Sequence, residues 1–349
     1  MSNKPKIVQV PSFELPGSYY LGPESLQAQI DYRRYQTALG RDSMAANTTN
    51  NTADNNQETS LSQAERQQQQ ADLFYQSAVY QQLKNRYPCQ VVGKNYGGVY
   101  TEVFTPDSGI AEHNKSRILI NLHSGSFESG ARTSSHIESM PMAVLGQITV
   151  ISVDYRLAPE YRFPAATDDV VAVYTELLKD YHPNQIGIFG ASAGGRLTAQ
   201  VMAALLQKKL VLPAAIAMTA GAAHPFEGDS LSIVGAITQG EFAFNVVTPL
   251  KNQCYFEGVD LSSPLAIPSV SDDVMAQFPP SFLASSTRDF ALSPVLASHR
   301  QLSRLGVTTE LHIWDGLSHI FHYNPDLPEA RELHERMVEF FEGYLSDGA

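Results

Sequence analysis

In the run IGIFGASAGGRLTAQ, Ser192 stands at the centre of G-x-S-x-G, with Gly190 and Gly194 on either side. Ile186 to Phe189 read as an apolar strand, and the residues after Gly195 read as a helix. A strand-to-helix turn this tight has no room for side chains two positions either side of the serine, which accounts for both glycines. The turn also holds the hydroxyl proud of the sheet at a helix N-terminus, whose dipole favours developing negative charge. The bland alternative is a small-residue turn that only packs helix on strand. The strand before and the helix after favour a nucleophile.

A serine hydroxyl is a poor nucleophile at neutral pH and needs a base, and the base needs a carboxylate to fix its tautomer. In a strand–turn–helix hydrolase these follow in the order Ser, acid, His, each at the C-terminal end of a strand. PPSFLASSTRDF puts Asp289 just beyond an apolar strand, and TELHIWDGLSHIFHY puts His319 a few residues beyond the last one. Asp272 and Asp273 are weaker candidates because no strand precedes them, and Asp315 lies between the last strand and His319, a poor position for an orienting partner. His322 rivals His319 on the same short segment, but His319 directly follows the turn residues Gly316 and Ser318. His312 falls inside the strand and is expected to be structural, and His224 is expected to be a solvated loop residue.

A tetrahedral intermediate needs hydrogen-bond donors for its oxyanion. The N–H of Ala193 supplies one, and the others are expected from the loop after the third core strand. NLHSGSFESGAR occupies that place, with His123 at its head and the N–H groups of Gly125 and Ser126 on offer. Ser124 and Ser126 stand where glycine would be most comfortable, and a serine is penalised wherever this loop needs φ > 0.

The elements that must hold these residues alternate. From about Val91, the apolar runs VYTEVFTP, RILINLH, ITVISVDYR, QIGIFGAS, AAIAMTAG, SFLASSTRD and TELHIWDG are separated by helical patterns. PAATDDVVAVYTELLKDY and AGGRLTAQVMAALLQKK are two of these patterns. Such alternation predicts a parallel sheet covered by helices on both faces. A last helix starts near Pro328 and turns Leu333, Met337 and Tyr344 to the core. The first ninety or so residues are polar and helical, with Pro23 at a helix start and Leu26 and Ile30 four apart. Ser62 and Glu65 have capping-box spacing ahead of RQQQQADLFYQSAVYQQLKNRY, a helix expected to bury Phe74, Ala78 and Leu83. RDSMAANTTNNTADNNQETS lacks periodicity and reads as a linker. The long stretch from AHPFEGDS to PLAIPS breaks the alternation and reads as a functional insertion.

Composition narrows the partners. Among 349 residues, 43% are hydrophobic and 17% charged, as in a globular chain. A net charge of −12 argues against a nucleic-acid partner. Cys89 and Cys254 are too few for a disulfide framework and are expected to be free thiols. The N-terminus has no continuous apolar region of a signal peptide, and no stretch is long enough to span a membrane, so a soluble cytoplasmic protein is expected.

The chain resembles the hormone-sensitive-lipase-like esterases, bacterial family IV of the α/β-hydrolases. The resemblance rests on His123-Ser124-Gly125-Ser126-Phe127, on DYRLAPEYRFPAATDD from Asp154, on Gly190 to Gly195, and on Asp289 and His319. It covers Val91 to the C-terminus well and the first ninety residues loosely. It implies an α/β-hydrolase fold: a mostly parallel eight-stranded sheet with helices on both faces and a helical cap. The cap would comprise residues 1–90 and 222–265, and the core residues 91–221 and 266–349. It further implies hydrolysis of short- to medium-chain carboxylic esters by a serine carboxylesterase with no metal and no cofactor. By position, Gly125, Ser126 and Ala193 become the oxyanion donors, and Tyr155 and Arg156 become support beneath the site. Two departures stand out: serines replace the first and third glycines of the loop, and Ala191 replaces the usual Asp or Thr before the nucleophile. Lactones, amides or aryl polyesters are alternative substrates for the same machinery, and a non-catalytic hydrolase-like binding protein is a further alternative. The partner is expected to be a small-molecule ester, and homo-oligomerisation is left open.

Overall fold

A computed structural model describes residues 18–29, 31, 62–235 and 254–346. Eight strands form one sheet: β1 (Cys89–Tyr96), β2 (Val99–Pro106), β3 (Ile118–Leu122), β4 (Thr149–Val153), β5 (Ile186–Ala191), β6 (Ala215–Thr219), β7 (Ser281–Arg288) and β8 (Thr309–Ser318). Their order is β1-β2-β4-β3-β5-β6-β7-β8. The β1–β2 and β2–β4 pairs are antiparallel, and every pair from β4 to β8 is parallel. The sheet is therefore mostly parallel and eight-stranded, as the family resemblance implies.

Strand alternation builds two cores. Ile118, Ile120 and Leu122 of β3 point to one face, joining Ile188, Ile216 and Met218. The helices α5 (Ala165–Leu177), α6 (Ala193–Gln207) and α7 (Leu292–Arg304) cover that face through Val170, Tyr174, Leu197, Val201, Val295 and Leu302. Leu119, Phe189, Ala217 and Phe282 point to the opposite face. There α4 (Ser134–Gly146) and α8 (Pro328–Tyr344) bury Met140, Ala143, Leu333, Met337 and Phe341. Tyr344 packs at the edge of this cluster, partly buried.

The first strand has no counterpart in the apolar runs. CQVVGKNY forms β1, yet most of its residues are exposed on both faces, so it lacks the period-2 contrast that marks a half-buried strand. Its hydrogen bonds to β2 hold it at the sheet edge.

The N-terminal helix from Ser62 is two helices rather than one. The capping box of Ser62 and Glu65 starts α2 (Gln63–Gln76), preceded in the chain by α1 over residues 23–29. Ser77 then ends α2 and caps α3 (Ala78–Arg86), accepting from the Tyr80 N–H at 3.1 Å. The break shifts the helical phase, so Val79 and Leu83 are buried and Ala78 is exposed. Phe74, Tyr75 and Tyr80 cluster about His136 of α4, which ties α2 and α3 to the core.

Ile30, the linker over residues 41–60 and the middle of the insertion lie outside the described residues. Cys89 and Cys254 are free thiols. Among the described residues, no helix is long and apolar enough to cross a membrane.

Candidate active site

Ser192 lies between β5 and α6 with φ 54° and ψ −113°, a conformation unusual for any residue but glycine. Two contacts hold it there. Its N–H donates to the Thr219 carbonyl at 2.8 Å, and the Arg196 N–H donates to its carbonyl at 3.1 Å as α6 begins. The flanking glycines are a requirement of space. A Cβ on Gly194 would come within 1.7 Å of the Leu122 carbonyl oxygen, and one on Gly190 within 2.5 Å of both that oxygen and the Gly194 backbone.

Asp289 directly follows β7 and His319 directly follows β8, so neighbouring parallel strands deliver both at the same sheet edge as Ser192. His319 Nδ1 lies 2.7 Å from Asp289 Oδ1, and His319 Nε2 lies 3.0 Å from Ser192 Oγ. With Nδ1 donating to the carboxylate, Nε2 is the acceptor that faces the hydroxyl. Asp289 is 1% exposed and fully engaged: Oδ1 also accepts from the Ala291 N–H, and Oδ2 accepts from Ser285 Oγ, both at 2.8 Å. Phe290 lies against the imidazole, ring centres 4.0 Å apart, and Phe226 meets it edge-on at 6.4 Å.

The rival residues lie elsewhere. Asp315 belongs to β8, which runs on to Ser318, and accepts hydrogen bonds from Thr287 and Ser18. Asp272 pairs with Arg304 on the surface. His312 stacks on Phe282 inside the sheet. His322 is buried beside His334, and burial holds its pKa well below the usual value. His224 differs from the expectation of a solvated loop residue. It is partly buried, with Nδ1 3.0 Å from Ser298 Oγ and its pKa lowered by that burial.

The loop after β3 does adopt positive φ, at Gly125 (119°), Ser126 (58°) and Phe127 (62°). Glycine is needed at the first of these: a Cβ there would come within 2.1 Å of the Ser129 carbonyl oxygen. The Glu128 and Ser129 N–H groups fold back onto the Gly125 carbonyl. That curl leaves the N–H groups of Gly125 and Ser126, and that of Ala193 across the turn, without acceptors among the described residues. His123 anchors the head of the loop. It stacks on Tyr155 at 4.1 Å, donates from Nδ1 to the Ser124 carbonyl, and is driven by burial to a pKa of about 4. Tyr155 donates to the His123 carbonyl at 2.6 Å, and Arg156 pairs with Asp169.

The sequence did not point to Glu138. This buried carboxyl on α4 accepts from the Ser124 N–H at 3.0 Å, from Asn121 Nδ2 at 2.9 Å and from the Tyr323 hydroxyl. Tyr323 has a single proton, so its oxygen accepts from Ser124 Oγ. Ser124 is thus turned back into the core, bracing the loop against α4 and the segment after His319. Burial pushes Glu138 up to about 7 even with these donors. The signal was a lone acid within the apolar helical run IESMPMAVL.

Residues 119–323 match a family model described as the alpha/beta hydrolase fold. An acetyl-hydrolase of Streptomyces hygroscopicus is 27% identical over 239 residues, covering 66% of this chain and 77% of the relative. The carboxylesterase/phospholipase LipF of Mycobacterium tuberculosis is 26% identical over 284 residues, covering 75% of this chain and 74% of the relative. Among solved structures, a hormone-sensitive lipase from a metagenome library aligns with a TM-score of 0.66 at 25% identity, covering 84% of this chain and 94% of that one.

Proposed function

The chain belongs to the α/β-hydrolase fold family, on its hormone-sensitive-lipase-like branch, and from that premise we propose that it is a serine carboxylesterase for short- to medium-chain esters. The observation that carries the proposal is the continuous relay from Asp289 through His319 to Ser192, at 2.7 and 3.0 Å. In this reading His319 Nε2 takes the hydroxyl proton as Ser192 Oγ attacks the ester carbonyl carbon. Asp289 fixes the Nδ1–H tautomer and stabilises the imidazolium. The N–H groups of Gly125, Ser126 and Ala193 receive the oxyanion. The tetrahedral intermediate then expels the alcohol, which takes the proton from His319 Nε2. A water molecule attacks the acyl-enzyme with the same base, and the acid product leaves with Ser192 restored.

Residues 1–90 and 222–265 are proposed as the cap over this site, with residues 91–221 and 266–349 as the catalytic core. The aromatic side chains of Phe226 and Phe290 beside His319 support compact acyl groups. The relatives' names, acetyl-hydrolase and carboxylesterase/phospholipase, support ester hydrolysis. The test is a panel of p-nitrophenyl esters of rising acyl length, run on the wild type and on Ser192→Ala. Turnover is expected to peak among the short to medium chains and to fall at least about a thousandfold in the variant, with the fold retained by circular dichroism. Retained activity in Ser192→Ala, or a maximum at long chains, would contradict the proposal.

A further inference from the structure

Arg196 is a buried cation whose counter-charge, among the described residues, is missing. It lies on α6 four residues beyond Ser192 and is 4% exposed. Its guanidinium sits 5.3 Å from the ring centre of Phe226 and 5.2 Å from that of Phe256. Glu227 is the acid whose charge reaches it, but Glu227 is exposed and forms no ion pair with it. Burial lowers the Arg196 pKa only to about 10, so the group keeps its charge at neutral pH.

Two observations put this cation beside the candidate site. Arg196 stands one turn into α6, and helical side chains lean toward the helix N-terminus, the end at which Ser192 stands. The two rings that flank it also flank the site. Phe226 meets His319 edge-on at 6.4 Å. Phe256 meets Phe127 at 5.4 Å, on the loop that carries Gly125 and Ser126. The guanidinium therefore bridges the side of the base and the side of the proposed oxyanion donors.

Bracing two rings does not require a charge. A buried cation without a partner is costly, and an apolar side chain of similar shape would pack there with less penalty. Aromatic faces satisfy the flat sides of a guanidinium but leave its edge of N–H donors free, and that edge matches a carboxylate in a bidentate pair.

We propose that Arg196 binds a carboxylate carried by the substrate itself, so that the preferred esters bear one anionic end a few bonds from the scissile carbonyl. Half-esters of short dicarboxylic acids and short hydroxy acids acylated on their hydroxyl both have this chemistry. The proposal rests on the esterase reading above.

The experiment compares kcat/KM for charged and neutral esters of matched length. Monoethyl succinate is set against ethyl pentanoate for an acyl-borne carboxylate. Carboxymethyl butyrate is set against propyl butyrate for an alcohol-borne one. In the wild type, one charged ester is expected to exceed its neutral match, and which pair does so identifies the side that Arg196 faces. In Arg196→Met that ratio should fall roughly ten- to hundredfold, mainly through KM, with Arg196→Lys intermediate. Taking the ratio within each protein cancels any general loss of activity, and the wild-type ratio alone is decisive if a variant misfolds. Charged esters no better than neutral ones in the wild type, or a preference that survives Arg196→Met, would overturn the proposal. Turnover of neutral esters separates that failure from failure of the esterase reading: if neither class is hydrolysed, both fall.

Discussion

The two loop serines do different things, and neither removes a proposed oxyanion donor. Ser124 is buried and spends its hydroxyl on Tyr323 and its N–H on Glu138. Ser126 is exposed and carries the conformational strain, with φ 58° followed by Phe127 at 62°. A left-handed conformation costs a residue with a Cβ roughly 1–2 kcal/mol. Ser126→Gly removes that strain and keeps the N–H, so it should change kcat on small esters by less than about threefold, with the melting temperature moving only a few degrees. Gly125→Ala should behave in the opposite way, because its Cβ meets the Ser129 carbonyl at 2.1 Å with φ at 119°. A loss of more than about 2 kcal/mol and at least tenfold in kcat is expected there. Thermal melts and p-nitrophenyl acetate kinetics read both variants. A tenfold loss in Ser126→Gly would mean that the Ser126 hydroxyl itself contributes.

Elements that bury a continuous face were legible in the sequence, and those whose burial is set by neighbours were not. Strands β3 to β7 announced themselves because a central parallel strand is apolar on both faces, as in the fully buried β3, β5 and β6. Strand β1 did not, because an edge strand exposed on both faces has no contrast to read. The break at Ser77 was hidden for a related reason. A serine within a helical pattern can continue the helix or cap the next one, and only its contact with the Tyr80 N–H decides. At the site, the glycines around Ser192 and the strand ends before Asp289 and His319 follow from chain-local geometry. Glu138 and Tyr323 lie 185 positions apart, and no local pattern joins them. Arg196 was visible in the sequence but carried no signal, since its isolation depends on Phe226 and Phe256 arriving from the segment after β6.

For the molecule as a whole, buried titratable groups set the response to pH. Burial draws His123 and His334 down to about 4 and His322 well below its ordinary value, and pushes Asp154 up to about 6 and Glu138 up to about 7. Each histidine contributes stability that is present above its unfolded value of 6.5 and lost as pH falls toward its folded value. The two acids work in reverse: their contribution is present below their unfolded values of 3.8 and 4.5 and is lost as pH rises through 6 to 7. Around pH 5.5 the unfolded chain therefore binds roughly one more proton than the native one, so stability should fall on acidification by on the order of 1 kcal/mol per pH unit. It should level off near neutrality. Glu138→Gln removes one opposing acid, so its acid slope should be steeper in urea titrations at several pH values, and an unchanged slope would contradict the assignment. The proposed activation of Ser192 is open to labelling with a fluorophosphonate probe followed by peptide mass mapping. A single adduct on Ser192 is expected, formed more slowly in Asp289→Asn and absent in Ser192→Ala. An intact protein that takes up no probe, or takes it up at another residue, would contradict it.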